Sequence, residues 1–185
     1  MLYLAYIVLI LSLVNLIRMA FFLIASELYD INKIGQAEKE ADFFRLNYRP
    51  LVTVMVPAHN EEATLKRNLT SIVNSTYKNV ELIIINDSSS DRTGKIALNF
   101  QKKYRTKFKM IKVLNVNVRG KARAMNQGLK YAHGTLFMCL DADSVLTVDA
   151  LEKGVAFFRE KSVGALASNV KIIPGKGFMN LLQRF

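Results

Sequence analysis

Between Leu51 and Phe158 the chain repeatedly switches from an apolar run of strand length to a segment whose apolar residues recur at helical spacing. Leu51 to Val56 is a β-branched run ended by Pro57 and followed by Leu65, Leu69, Ile72 and Val73. Val80 to Ile85 precedes Ile96, Ala97, Phe100 and Tyr104; Met110 to Val116 precedes Ala122, Met125 and Leu129; Leu136 to Leu140 precedes Leu151, Val155 and Phe158. A further strand is expected from Val163 to Ile173. Strands that are continuously apolar are buried on both faces, so the pattern predicts an α/β domain with a mainly parallel sheet and helices on either side. In such sheets ligands sit beyond the carboxyl ends of the strands.

Each strand run leads into polar residues. The first ends in Pro57-Ala58-His59-Asn60-Glu61 and the second in Asn86-Asp87-Ser88-Ser89-Ser90-Asp91. The loop after the third contains Arg119-Gly120-Lys121, and the fourth ends in Asp141-Ala142-Asp143-Ser144. A parallel sheet brings all four to one edge, where they form one pocket. Two carboxylates one residue apart at a buried strand's tip suit a hard divalent cation held against a phosphate. A lone Asp-x-Asp fits solvated turn carboxylates equally well, and the three upstream clusters make this one a site. Lys121 at a helix start suits a diphosphate, whose charge Asp143 with a metal also neutralises. A strand-tip carboxylate such as Asp87 can accept the N–H that uracil presents between its carbonyls. Ser88 to Asp91 also read as a helix N-cap with Thr93 near the first turn, which accounts for part of that cluster but not for Asp87.

Residues 1–26 carry one charge, Arg18, and supply enough apolar helix for a hydrocarbon core of roughly 30 Å. A cleaved signal has a basic start and an apolar core of about 7–15 residues. Here the start is Met-Leu-Tyr and no charge occurs before Arg18, so a retained transmembrane anchor is expected, with Asn15 and Arg18 marking a partner helix. No Lys or Arg precedes this helix, whereas Lys33, Lys39, Arg45 and Arg49 follow it. The positive-inside rule then predicts a single-pass protein of the cell membrane with its globular part, residues 50–185, in the cytoplasm. Residues 27–49 mix both charge signs with helix formers and read as a connector. The single cysteine, Cys139, permits no intrachain disulfide and agrees with a reducing compartment. The net charge is +11, and Lys102, Lys103, Arg105, Lys107, Lys109 and Lys112 form its densest cluster. No nucleic-acid-binding motif accompanies them, so nucleic acid is not an expected partner; a solvated helix end that meets anionic lipid headgroups is.

The segments VPAHNE, IIINDSSSD, GKARAMNQGL and LDADS, in that order over residues 51 to about 175, resemble a family 2 glycosyltransferase of the GT-A, Rossmann-like fold. The apolar N-terminal helix and the GKARAMNQGL wording are most similar to membrane-integrated processive synthases of poly-N-acetylglucosamine, with hyaluronan, chitin and cellulose synthases as relatives. The resemblance implies that Ala58 and Glu61 line the nucleoside pocket and that Asp87 contacts uracil. It also implies that Lys121 meets the nucleotide, Asp141 the nucleotide or metal, and Asp143 the catalytic metal, Mg²⁺ or Mn²⁺. The implied reaction is inverting transfer of a sugar, N-acetylglucosamine, from a UDP-sugar donor to a growing polysaccharide acceptor. A base deprotonates the acceptor hydroxyl, which attacks the anomeric carbon as UDP departs, with metal and Lys121 stabilising the diphosphate. Asn86 stands where many members carry a second aspartate.

Family members continue into a Thr/Gly-Glu-Asp motif that supplies the base, a Gln-x-x-Arg-Trp motif and further transmembrane helices. None of these occurs here, and Asp149, Glu152 and Glu160, the carboxylates after Asp143, fit the exposed face and end of the fourth helix. The expectation is a donor-binding half, C-terminally incomplete through a truncated reading frame or a split protein, with other synthase subunits or helices as partners. A non-catalytic, membrane-anchored nucleotide-binding remnant is the competing reading, supported by the missing base. A haloacid-dehalogenase phosphatase with Asp141 as nucleophile is a third, but such domains open with the Asp-bearing strand, and the upstream clusters would go unexplained. His59 lacks companions at metal-ligand spacing and is expected to hydrogen-bond locally, while His133-Gly134 closes the third helix.

Overall fold

The computed structural model describes residues 3, 5–22, 24–25 and 48–171. The chain divides into two units, Met1–Asn47 and Tyr48–Phe185. In the first, helix α1 (Ala5–Phe22) is long and apolar enough to cross a membrane. At 1.5 Å per residue it spans about 27 Å, and its Ser12 hydroxyl is satisfied by the Val8 carbonyl at 2.8 Å. The expected connector, apart from its last two residues, lies outside the described residues, as do residues 172–185.

The second unit holds strands β1 (Val52–Ala58), β2 (Val80–Asp87), β3 (Met110–Val116) and β4 (Leu136–Cys139), with helices α2 (Leu65–Val73), α3 (Thr93–Tyr104), α4 (Lys121–Leu129) and α5 (Ala150–Phe157). The strands form one parallel sheet in the order β3-β2-β1-β4. Alternate residues of the apolar strands feed two cores. Val54, Val56, Leu82 and Ile84 pack under α2, α3 and α5, through Leu65, Leu69, Ala97, Phe100, Leu151 and Val155. Met55, Ile83 and Ile85 face the other way, onto Ala124 and Met125 of α4. Full burial of a Leu or Ile side chain stabilises by about 1.5–3 kcal/mol, which is why both faces are covered. On the α4 side the fit is close: a Cβ at Gly128 would lie 2.6 Å from Ile85 Cδ1.

Register sets the level of the strand tips. Ala58 pairs with Asn86 and Asp87 with Val116, whereas β4 stops at Cys139, opposite Met55. Contrary to the sequence reading, β1 does not end at Pro57 but runs through Ala58. The reason is directional. Met55 presents its carbonyl toward β4, where the Leu140 N–H donates to it at 3.0 Å, so the N–H that Pro57 lacks would also point to that side, past the end of β4. The strand expected over Val163 to Ile173 is not found: residues 163–171 pair with no strand, and 172–173 lie outside the described residues.

At the opposite end of the sheet Glu81, 2% exposed, is the hub of a buried polar cluster. Its carboxylate accepts the Thr53 hydroxyl and the backbone N–H groups of His133 at 2.5 Å and Gly134 at 3.1 Å, with His133 Nδ1 at 3.3 Å. Burial pushes this carboxyl up, but the Thr53 hydroxyl and the two amides outweigh it and hold the pKa below its ordinary value. His133-Gly134 therefore does more than close a helix: it docks the α4–β4 turn onto the start of β2 and delivers β4 to the edge of β1.

Candidate active site

Beyond the carboxyl ends of β1, β2 and β4 lies an open cleft of about 880 Å³. It sits where the strand order runs from β1 to β2 in one direction and to β4 in the other, the position at which open α/β sheets bind ligands. Ala58, Glu61, Asp87, Lys121, Asp141 and Asp143, the six residues singled out in the sequence, all line it.

Asp87 closes β2 and is 6% exposed. Its Oδ1 accepts the backbone N–H groups of Val118 at 3.0 Å and Arg119 at 3.2 Å, and its Oδ2 that of Gly120 at 2.9 Å. The Gly120 amide foremost, then those of Val118 and Arg119, outweigh burial and hold this carboxyl below its ordinary value. The strand tip is thus a template for the β3–α4 loop. It fixes Arg119 at φ 47° and Gly120 at φ 154°, so that Lys121 starts α4 at the cleft wall. The Ser88 hydroxyl also donates to Asp87 Oδ1, at 3.4 Å, so of the carboxylate's about four lone-pair sites the one left for a ligand is on Oδ2, beside the Gly120 bond.

Across the cleft Lys121 Nζ pairs with Asp141 Oδ1. The bond to Asp141 is the main cause of a raised Lys121 pKa. The two side chains are 58% and 53% exposed, so the pair is screened and open to exchange for a phosphate and a cation. Asp143 is exposed, and its Oδ1 accepts the Ser144 hydroxyl at 3.3 Å. Among the described residues no group of three or more His, Cys, Asp or Glu side chains converges. Two carboxylates on one turn nevertheless fit Mg²⁺ or Mn²⁺, hard cations commonly held by one or two carboxylates together with substrate phosphates and water.

The other lip is stitched from two loops. The Asn60 N–H donates to Ser89 Oγ at 3.0 Å, and Asn60 Oδ1 accepts the Ser90 N–H at 2.8 Å. The Glu61 N–H donates to Thr93 Oγ1 at 2.8 Å and the Glu62 N–H to Asp91 Oδ2 at 3.1 Å. Glu61's own carboxylate accepts the Thr64 hydroxyl at 2.5 Å. The N-cap of α3 is not one of Ser88 to Asp91, as expected, but Arg92, whose side chain makes no cap bond; Asp91 just before it accepts the Thr93 N–H through Oδ1 at 2.9 Å. His59 hydrogen-bonds locally, its Nδ1 2.6 Å from the Asp87 carbonyl, which makes Nδ1 the protonated nitrogen. Among the described residues Asn60, Ser88 and Arg119 are the non-glycine residues with positive φ, at 56°, 55° and 47°, and all three line the cleft. Such strain costs on the order of 1–3 kcal/mol per residue and persists only where its surroundings enforce it, as these loop bonds do. Sequence reasoning did not find the stitching by Thr93 and Asp91; the one available signal was an asparagine, a residue that tolerates the left-handed region, at a strand tip.

Asn86 donates to Asn115 Oδ1 at 2.8 Å and leaves its own buried Oδ1 without a partner. Asp149 pairs with Lys153 at 2.9 Å, Glu152 with Arg49 at 3.2 Å, and Glu160 accepts the Ser162 hydroxyl at 2.7 Å, so these carboxylates are engaged on and after α5 and do not line the cleft.

Fold and cleft together define an α/β domain with a parallel sheet and an open cleft, lined by charged residues, beyond its strand tips. The chain belongs to glycosyl transferase family 2, whose profile matches residues 53–185. It is 37% identical over 133 residues to a poly-beta-1,6-N-acetyl-D-glucosamine synthase of Staphylococcus epidermidis, covering 71% of this chain and 31% of that protein. It is 32% identical over 124 residues to the Escherichia coli UDP-Glc:alpha-D-GlcNAc-diphosphoundecaprenol beta-1,3-glucosyltransferase WfgD, covering 66% of this chain and 47% of the relative. The chain thus spans less than half the length of these curated relatives. Among solved structures, Staphylococcus aureus TarS 1-349 in complex with UDP-GlcNAc superposes with a TM-score of 0.51 at 28% identity, over 59% of this chain and 31% of that one. A mannosyltransferase from Pyrobaculum calidifontis in complex with GDP-Man and Mn²⁺ shares the fold, with a TM-score of 0.61 at 23% identity, over 72% of this chain and 44% of that one.

Proposed function

We propose that this glycosyltransferase domain binds a UDP-sugar, UDP-N-acetylglucosamine by preference, with Mg²⁺ or Mn²⁺, and is the donor-binding part of a membrane-bound inverting polysaccharide synthase. The observation that carries the reading is the meeting of the Asp87-templated loop, ending in Lys121, with the Asp141–Asp143 turn across one cleft. Ala58 and Glu61 would line the nucleoside site and Asp87 would accept from uracil. Lys121 would contact the diphosphate, with Asp141 and Asp143 toward the cation. A bound divalent ion would supply charge neutralisation for the departing diphosphate. The names of the synthase relatives and the UDP and UDP-GlcNAc complexes of TarS support this donor class. The general base would come from outside the described residues, on a further segment or a partner chain. The same proposal takes residues 1–26 as a single-pass anchor, 27–49 as a connector and 50–185 as a cytoplasmic domain at the cell membrane.

Calorimetry of the full chain in detergent with UDP, with and without Mn²⁺, tests the donor reading. Tighter binding with Mn²⁺ is expected, and Asp143→Asn should abolish that gain through lost charge neutralisation. Equal affinity with and without the ion would refute the metal-assisted site.

A further inference from the structure

Asn68 is an asparagine in the interior of α2, fully buried at 0% exposure between the core residues Leu65 and Leu69. Asparagine is a poor helix former, and burying its amide costs more unless every polar atom is satisfied. Here it is not: Asn68 Oδ1 has no partner. What the amide does achieve lies at its nitrogen. Nδ2 donates to the carbonyl of Asp141 and to the carbonyl of Ser144, both at 2.8 Å. The Ser144 N–H returns to the Asp141 carbonyl at 3.0 Å, so residues 141–144 form a tight turn whose two ends are both held by one side-chain amide. One helical turn on, the Ser71 hydroxyl accepts the Leu146 N–H at 3.1 Å and extends the same attachment. Ala142, between the two aspartates, is 4% exposed and anchors the turn from below.

We propose that Asn68 is a positioning residue for the site: its two N–H donors clamp the Asp141–Ser144 turn and thereby fix the separation at which Asp141 and Asp143 meet a divalent cation and a diphosphate. This rests on the functional reading above, since it assigns the clamp to the cation-facing turn of that site. Both side-chain hydrogen bonds of Asn68 go to the turn and none to Ala58, Glu61 or Asp87, so its effect is expected on what the turn presents. The unpartnered Oδ1 is what remains when a side chain is kept for its donors alone. An apolar residue of similar size would fill the space without an orphan acceptor but would leave the Ser144 carbonyl unbonded.

Asn68→Thr and Asn68→Val test it, because they share a shape and differ by one hydroxyl donor. Thermal unfolding of the full chain in detergent first establishes that both fold. Hydrogen–deuterium exchange of the peptide spanning 140–146 then reads the clamp. Exchange should be slowest in the parent, faster in Asn68→Thr and fastest in Asn68→Val. UDP binding reads the consequence. In Asn68→Val the gain in affinity on adding Mn²⁺ should fall by about 10–100-fold, the range for residues that orient metal ligands, with Asn68→Thr between it and the parent. Metal-free UDP affinity should stay within about twofold, as no bond to the nucleoside side is lost. Unchanged exchange in a folded Asn68→Val, or faster exchange with an unchanged Mn²⁺ gain, would overturn the proposal. If the parent itself shows no Mn²⁺ gain, the functional reading fails, and the exchange series alone then decides the clamp.

Discussion

Replacing Asp87 by asparagine keeps the shape of the strand tip and removes its charge, which separates the two roles this carboxylate is given. Oδ1 bonds Val118 and Arg119, so an asparagine oxygen in that place keeps both, but as neutral rather than charge-assisted bonds, at a loss of about 1 kcal/mol each. The Gly120 N–H, now 2.9 Å from Oδ2, would face an NH₂ group and be orphaned, at about 1–3 kcal/mol. Water at the cleft mouth recovers some of this, so Asp87→Asn should destabilise the domain by about 3 kcal/mol. Urea unfolding followed by circular dichroism measures it, as a lowered midpoint with an unchanged slope. Ligand binding then divides the roles. If Asp87 only templates the loop, UDP and CDP lose affinity equally; if it also accepts from uracil N3–H, UDP loses about tenfold more, the cost of one such bond. A shift below about 0.5 kcal/mol with unchanged affinity for both nucleotides would refute the template argument itself, since surface substitutions without a structural role fall in that range.

Gly134→Ala should destabilise by about 3 kcal/mol or more, because its Cβ would press on Thr53 Oγ1 and lie 2.6 Å from the Thr53 backbone nitrogen, inside the buried Glu81 cluster. Gly154→Ala on α5, whose nearest neighbour would be Leu166 Cδ2 at 3.8 Å, should instead stabilise by about 0.5–1 kcal/mol, and thermal unfolding of the two variants gives the contrast. Asp87 and Glu81 have pKa values held below their ordinary 3.8 and 4.5, so their contribution to stability is fully present above those values and is lost as pH falls through the lower, folded-state ones. Urea midpoints between pH 7 and pH 3 should therefore drop on acidification, and less steeply in Asp87→Asn.

The sheet was legible because burial on both faces leaves a one-dimensional trace: Leu82 to Ile85 is apolar throughout, and no amphipathic arrangement would need that. Where reading failed, the cause was local. Pro57 looks like a strand end, and in a central ladder it would be one; only knowing that β4 stops opposite Met55 shows that its missing N–H costs no bond. Val163 to Val170 is apolar enough for a strand, but apolar composition does not supply a neighbouring edge. Glu81 and His133 are separated by 52 residues in the chain, and nothing in either neighbourhood announces that one buries a carboxylate against the other's backbone.

The cleft was legible in its members and not in its mechanics. Asp87, Lys121, Asp141 and Asp143 announce themselves because charged residues at the tips of apolar strands have few structural explanations. What holds them carries no such mark. The loop from Val118 to Gly120 is shaped by backbone N–H groups, which every sequence possesses, and the Asp-x-Asp turn by an asparagine that reads from the sequence as one more helix position. The two segments that bear Lys121 and Asp141 are built alike: a buried side chain, Asp87 for one and Asn68 for the other, satisfies the backbone of the segment that bears the exposed charge. Lys121 and Asp141 are then left with solvated side chains, 58% and 53% exposed, on segments whose backbone is held by buried side chains, and on the proposed reading their mutual bond would give way to a diphosphate and a cation. That division explains why loss of a charged residue should remove binding of one group, whereas loss of a buried support should loosen a whole segment.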